Sequence, residues 1–306
     1  MNVTGDISMI SNERFKTQET ILKSGKFFKF ICGAGNEDPE EVYKLSLVYT
    51  LAGAKGIDVS ASLKVVQSTI QAIDDAERLL DRIKLDDYVR PYITVSVGMP
   101  GDHHVRKASI LGDKCTECNA CIPVCPTDAI PDSLFIIESR CIGCGACGVA
   151  CQDDAIGYTH KDIEIEAVLS ECVKAGVENI ELHAAVPDHN ITLKEWELVN
   201  KILLGGFVSV CLDRAYLSNH ELKKRIELLL EVSPNRLIVQ ADGIPMSGGR
   251  DDYNTTLQAI ATADIVAKFN LPVHILLSGG TNSKSIELSK ISGVPTAGVS
   301  IGTFAR

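Results

Sequence analysis

The chain has 306 residues, a formal net charge of −10 and 11 cysteines. That length is about twice a typical domain yet ordinary for a single α/β barrel, and the acidic balance disfavours a nucleic-acid partner. No run of 18 apolar residues occurs, so no helical membrane span is expected.

Outside residues 107–158, short β-branched runs alternate with longer segments whose apolar spacing is nearer 3.6 than 2. This is the pattern of a parallel sheet with helical crossovers. In chain order it predicts a strand at Phe27–Cys32, a helix at Asp38–Leu51, a strand at Gly56–Val59, a helix at Leu63–Leu80 and a strand at Tyr92–Val97. After the insert come a helix at Ile163–Ala175, a strand at Asn179–Leu182, a helix at Leu193–Leu203 and a strand at Phe207–Leu212. The series closes with helix Asn219–Leu230, strand Arg236–Gln240, helix Thr256–Phe269, strand Val273–Leu277, helix Ser283–Ile291 and strand Gly298–Ile301. Pro39 stands in the first turn of the first of these helices among Glu37, Asp38 and Glu40, where the helix dipole favours acids, and Ser283 reads as a cap. Eight strands with seven helices predict a (β/α)8-type barrel, in two parts at 1–106 and 159–306. An eighth helix after the last strand is missing from the pattern. Either the barrel closes without it, or residues 10–24 stand in for it, or the chain is truncated.

The stretch at 107–158 follows a different rule. Cys115, Cys118, Cys121 and Cys125 repeat as Cys141, Cys144, Cys147 and Cys151, and Lys114–Ile130 resembles Arg140–Ile156 down to a shared Asp-Ala-Ile ending. Three cysteines two residues apart can wrap one iron–sulfur cubane, and the first run ends in Pro126, completing the motif of bacterial two-cluster ferredoxins. In that arrangement the fourth cysteine of each run serves the other cluster. The expectation is therefore two [4Fe-4S] clusters, one on Cys115, Cys118, Cys121 and Cys151, the other on Cys141, Cys144, Cys147 and Cys125. Gly143, Gly145, Ala146 and Gly148, with Ala120 in the first run, would let backbone N–H groups approach the sulfurs. Zinc fits three evenly spaced cysteines poorly, and a disulfide framework would need an oxidising compartment for which the start of the chain carries no signal. A reducing, cytoplasmic setting is expected. The second run has Gln152 where the first has Pro126, which leaves cluster type there less determined than ligation.

The insert follows the third barrel strand, and loops that follow strands gather at the C-terminal, ligand-binding end of a barrel. The clusters are thus expected over or beside the barrel mouth. Polar residues at strand ends are Asp58, Ser60, Glu181, His183, Asp213, Arg214 and Asp242. They are read mainly as caps of neighbouring loops and helices, and Cys32, Cys172 and Cys211 as small buried hydrophobes. His103 and His104 read as an exposed loop pair. Gly279 and Gly280 leave the seventh strand and Gly302 and Thr303 the eighth, where glycine-rich loops can offer N–H groups to a phosphate; a tight turn needs the same glycines. Gly243–Arg250 is a long glycine-rich loop at the same end.

The cysteine pair within this α/β frame, with Ile31-Cys32-Gly33-Ala34-Gly35-Asn36 and Gln240-Ala241-Asp242-Gly243-Ile244-Pro245-Met246-Ser247-Gly248, resembles the light-dependent period proteins of cyanobacteria over nearly the whole chain. The resemblance implies an iron–sulfur component of circadian clock input that adjusts period to light through redox state, with clock-input and oscillator proteins as partners. It implies no catalytic residue. Two functional classes follow: a redox sensor or adaptor, and an oxidoreductase whose clusters feed a flavin or phosphate-bearing substrate at the barrel mouth.

Overall fold

The computed structural model describes residues 12–83, 85, 87–99, 106–160, 164–184, 186–214, 217–243 and 253–302. Eight parallel strands close into a barrel in the spatial order β1 (Phe27–Ile31), β10 (Gly298–Ile301), β9 (His274–Ser278), β8 (Leu237–Asp242), β7 (Val208–Leu212), β6 (Asn179–His183), β3 (Tyr92–Gly98) and β2 (Gly56–Ser60). All eight expected strands form, with ends displaced by two residues at most. The seam pairs Phe27 with Gly298, where φ is +153° and a Cβ would fall 1.9 Å from the Phe27 carbonyl oxygen. Only glycine closes the barrel there.

Between the strands run α2 (Pro39–Leu51), α3 (Leu63–Glu77) with the short α4 (Leu80–Ile83), α6 (Ile165–Lys174), α7 (His189–Ile202), α8 (Asn219–Val232), α9 (Tyr253–Lys268) and α10 (Ser285–Ile291). Several starts differ from expectation, α6 by two residues and α9 by three, and two of them have a visible capping cause. Helix α7 begins four residues before Leu193, because Asp188 caps the amides of Asn190 and Ile191 ahead of the apolar stripe. At α10 the cap position is Lys284 and not Ser283; the Asn282 side chain accepts from the Lys284 N–H, and the Ser285 hydroxyl accepts from that of Asn282. Among the described residues no helix is long and apolar enough to cross a membrane.

The N-terminal helix α1 (Asn12–Lys23) does not take the place of an eighth outer helix. It plugs the bottom of the barrel, where Leu22 packs with Phe27, Tyr92, Phe207, Ile238 and Leu276, and Phe15 stacks on Phe207 at 4.5 Å. Arg14 fixes its position, donating to both carboxylate oxygens of Glu178 at 2.7 Å and to the Arg90 carbonyl at 2.9 Å, with its guanidinium over the Tyr92 ring. Arg14→Ala is expected to cost about 2 kcal/mol, since it strips a carboxylate and a carbonyl of charged partners at once; denaturant unfolding measures it, and an unchanged midpoint would show the plug to be incidental.

The outer faces of the strands are apolar and pack against the helices, but the interior is not the usual layer of branched aliphatics. Above the aromatic floor, Lys29, Asp58, Ser96, Glu181, Ser209, Cys211, Gln240 and Ser300 fill it, all 2 % exposed or less except Ser209 at 4 %. The strands alternate apolar outward and polar inward.

The insert leaves the barrel after β3 and builds a small antiparallel pair, β4 (Arg106–Ile110) with β5 (Ile156–His160), plus the one-turn helix α5 (Ala146–Ala150). It rests on the loop that follows β1, hence at the C-terminal end. Glu37 N–H donates to Ser139 O at 2.7 Å, Arg140 Nε donates to Asp38 Oδ2 at 3.0 Å, and the backbone of Gly35 lies so close to Cys141 and Ile142 that an added Cβ would meet them at 3.1 Å. Asp38 also caps α2, so one carboxylate ties helix start and insert together; although burial opposes it, Arg140 and the two helix amides keep its acid strength above that of an ordinary aspartate.

Candidate metal centre and the barrel interior

Two cysteine-lined cavities occupy the insert, each of about 330 Å³ counting the part open to solvent. Cys115, Cys118, Cys121 and Cys151 line one; Cys125, Cys141, Cys144 and Cys147 line the other. The fourth cysteine of each run therefore faces the cavity of the opposite run. None of the eleven cysteines is joined to another in a disulfide.

The repeat in the sequence has a local cause. Asp128 and Asp154 take left-handed backbone, φ 48° and 50°, and turn the chain so that the next residue's N–H donates to the fourth sulfur. Those bonds are Ala129 N to Cys125 Sγ at 3.2 Å and Ala155 N to Cys151 Sγ at 3.3 Å. The cysteine turns match likewise: Gly143 and Gly145 have positive φ in the second run, and Glu117 and Asn119 adopt it in the first, so glycine is not what the turn requires there. Gly148 serves a further purpose besides bringing its amide toward the Cys147 sulfur. A Cβ on it would lie 2.5 Å from the Tyr158 hydroxyl, which sits 3.9 Å from Cys147 Sγ.

Burial first, and the neighbouring cysteines after it, push the thiols of Cys144 and Cys147 up, as they do for Cys121. Sulfurs brought this close together are held as thiolates by a polycation, and apolar side chains wall the sites, Ile130 and Ile136 in one cavity and Ile110, Leu134 and Ile156 in the other. Donor set and cavity fit an iron–sulfur cluster.

Sequence reasoning missed three insert residues around the second run. Lys107, 8 % exposed, donates through Nζ to the carbonyls of Gly35, Glu138 (2.8 Å) and Cys141 (2.9 Å), binding the cysteine run to the barrel loop. Arg106 lies 4.0 Å over the Tyr158 ring and donates to Gly143 O. Their signal was the alternation of β4 against β5, legible only once the two strands are paired.

In the barrel, Lys29 Nζ bridges Asp58 Oδ2 at 2.6 Å and Glu181 Oε2. Ser96 donates to the other oxygen of Asp58, and Ser209 to Glu181 at 2.9 Å. Cys211 Sγ donates to Glu181 Oε1 at 3.1 Å, Gln240 Nε2 donates to Cys211 Sγ at 3.2 Å, and Ser300 to Gln240 Oε1 at 2.7 Å. His183 Nε2 stands 3.6 Å from Glu181 Oε1, and the loop after it is held by buried Arg225, which donates to the carbonyls of Ala184, Val186 and Pro187. Asp58 and Glu181 are thus interior groups and not loop caps, and Cys211 belongs to a polar cluster; Cys32 and Cys172 are buried among apolar residues as expected. Burial opposes both carboxylates. Lys29 prevails at Glu181 and holds it low, at about 2, whereas burial and the charge of Glu181 push Asp58 up to about 7.

A family model for a 4Fe-4S binding domain matches residues 109–130 and 134–157, and one for the light dependent period A C-terminal domain matches 172–306. "Light dependent period A" of Synechococcus elongatus is 33 % identical over 273 residues, 87 % of this chain and 74 % of that one. The chain belongs to the light dependent period A family. It is an iron–sulfur protein of that family. Solved structures resemble its fold without close sequence kinship. A candidate deoxyribose-phosphate aldolase of Coccidioides immitis is 8 % identical, covering 98 % of this chain and 96 % of that one at a TM-score of 0.50. The deoxyribose phosphate aldolase of Aeropyrum pernix is 9 % identical over 97 % and 96 %, at 0.46.

The glycine loops lie at the barrel mouth. Gly279 and Gly280 have φ of +54° and +77°, and Gly279 abuts Gly243, whose N–H donates to Gly279 O at 3.0 Å. Gly302 lies against Ile31. Thr303, His103, His104 and Ile244–Arg250 lie outside the described residues.

Proposed function

We propose that this chain is a cytoplasmic redox sensor and adaptor in light-dependent clock input, with two [4Fe-4S] clusters in its insert. Cys115, Cys118, Cys121 and Cys151 would hold one cluster and Cys141, Cys144, Cys147 and Cys125 the other; the two cysteine-lined cavities support this crossed assignment. Each cluster supplies a one-electron couple whose charge follows the redox state of the cell. The observation that carries the reading is Lys107, a buried cation touching Cys141 O on one side and Gly35 O of the barrel loop on the other. A charge change beside Cys141 alters the pull on Lys107, and Lys107 transmits it to residues 35–38, against which the insert rests. Clock-input and oscillator proteins are the partners of this reading.

The test is a titration against those proteins at controlled potential. A tenfold change in affinity between oxidised and reduced protein, about 1.4 kcal/mol of coupling, is expected in the wild type, and a smaller one in Lys107→Met. Equal affinity in both states would reject the sensor. Within the insert, Tyr158→Phe removes the hydroxyl that lies 3.9 Å from Cys147 Sγ and is expected to lower the reduction potential of the second-run cluster while leaving the other unchanged, because a hydroxyl beside a cluster sulfur stabilises the more negative state; a redox titration followed by electron paramagnetic resonance reads both.

The second reading is an oxidoreductase, and the charged barrel interior beneath the insert favours it. Gly279, Gly280, Gly302 and Thr303 would then hold the phosphate of a flavin or substrate. Bound flavin in protein purified without oxygen would support this reading over the sensor.

A further inference from the structure

We propose that the barrel mouth carries a mononuclear metal site separate from the insert, in which Glu181, His183 and Cys211 bind a zinc-type divalent cation. The three come from two adjacent strands, His183 and Cys211 near their C-terminal ends and Glu181 in the middle of β6. His183 and Cys211 are register partners across β6 and β7, and Glu181, two residues before His183, points to the same side. Their ligating atoms all lie within 4.8 Å of one another, with Glu181 Oε1 3.1 Å from Cys211 Sγ and 3.6 Å from His183 Nε2. Tetrahedral zinc with bonds of about 2.0–2.3 Å sets its donors roughly 3.3–3.7 Å apart, so one face of such a tetrahedron stands nearly assembled. Nitrogen, thiolate and carboxylate together are the donors of a borderline cation, whereas magnesium and calcium prefer oxygen alone.

The surroundings suit it. Lys29 and Ser209 engage Oε2 of Glu181 and leave Oε1 turned to Cys211 and His183, while Gln240 holds the sulfur from behind. One lysine faces two carboxylates, a formal sum of minus one; a dication with Cys211 as thiolate, its proton released to solvent, brings that sum to zero. Three protein donors leave a fourth position toward the mouth, where His183 keeps its 8 % exposure. A site of that kind binds an oxygen-bearing small molecule, polarising a carbonyl or activating a water.

The experiment uses the full chain, purified anaerobically with iron and sulfide intact, loaded with zinc, passed over a chelating resin and examined by zinc-edge X-ray absorption, which ignores iron. About one zinc per chain is expected, with one sulfur and otherwise nitrogen or oxygen neighbours. Affinity should fall at least about tenfold in Cys211→Ser and in His183→Gln at unchanged iron content, and hold in Cys172→Ser. Should Cys211→Ser unfold, His183→Gln decides. No retained zinc in the wild type, zinc surrounded by four sulfurs, or zinc held equally by His183→Gln would each overturn the site.

Discussion

Cys125→Ser is expected to leave a protein with about half its iron, and the cluster that disappears is that of the second run, although Cys125 belongs to the first. The mirror variant, Cys151→Ser, should remove the cluster of the first run. The reason is geometric: Asp128 and Asp154 turn the chain at the ends of the runs, the following amides fix the fourth sulfurs, and each sulfur faces the opposite cavity. Serine cannot replace a soft thiolate, so the cluster that loses its fourth ligand opens or degrades. Iron and acid-labile sulfide analysis, with paramagnetic resonance of the reduced protein to tell the two centres apart, gives the result. Loss of the mutated run's own cluster would refute the crossed assignment, and full iron retention would remove Cys125 from the ligand set.

Lys29→Met is expected to destabilise the barrel by about 3–5 kcal/mol at neutral pH, a large share of a domain's total stability. Methionine fills much the same volume, so the effect isolates the charge: Asp58 and Glu181, both at most 1 % exposed, would face each other without a cation. Adding Glu181→Gln should restore part of the loss. The wild type carries a related pH dependence. Asp58, facing Lys29 from β1, Ser96 from β3 and Glu181 from β6, is raised by burial and by Glu181 from 3.8 to about 7. A carboxyl that holds its proton more tightly when folded stabilises most at low pH. Its contribution falls as pH rises from about 4 through 7, and Asp58→Asn should flatten that fall. Denaturant unfolding at pH 6 and pH 8, followed by the fluorescence of the single, buried Trp196, measures both effects. A Lys29→Met midpoint within error of wild type would show that the interior is rebuilt or hydrated.

Much of the architecture was legible because it rests on local patterns. The strand runs are short and β-branched and the helices carry 3.6-residue stripes, so Asn179–His183 or Val208–Leu212 can be placed without knowing their neighbours. Helix ends were less legible: α7 starts at a polar turn, Asp188 to Asn190, where no apolar residue marks the helix. The barrel interior was misread for a related reason. Asp58, Glu181 and His183 were noticed as strand-end polar residues, but Lys29, Ser96, Ser209, Gln240 and Ser300 each look like one polar residue in an apolar run, and only closure of the sheet turns all of them toward one axis.

The sequence by itself determined the cysteine chemistry, since ligand spacing is a property of consecutive residues, and it determined the alternation from which a barrel with an inserted ferredoxin-like unit follows. Tertiary structure alone decided the rest: that α1 plugs the barrel floor, that Lys107 joins the second cysteine run to the loop after β1, and that Lys29, Asp58, Glu181, His183 and Cys211 converge. These are contacts between residues far apart in the chain, which no local pattern encodes. Whether an inward-facing charge finds its partner depends on strand order and register, and those are set when the whole sheet closes.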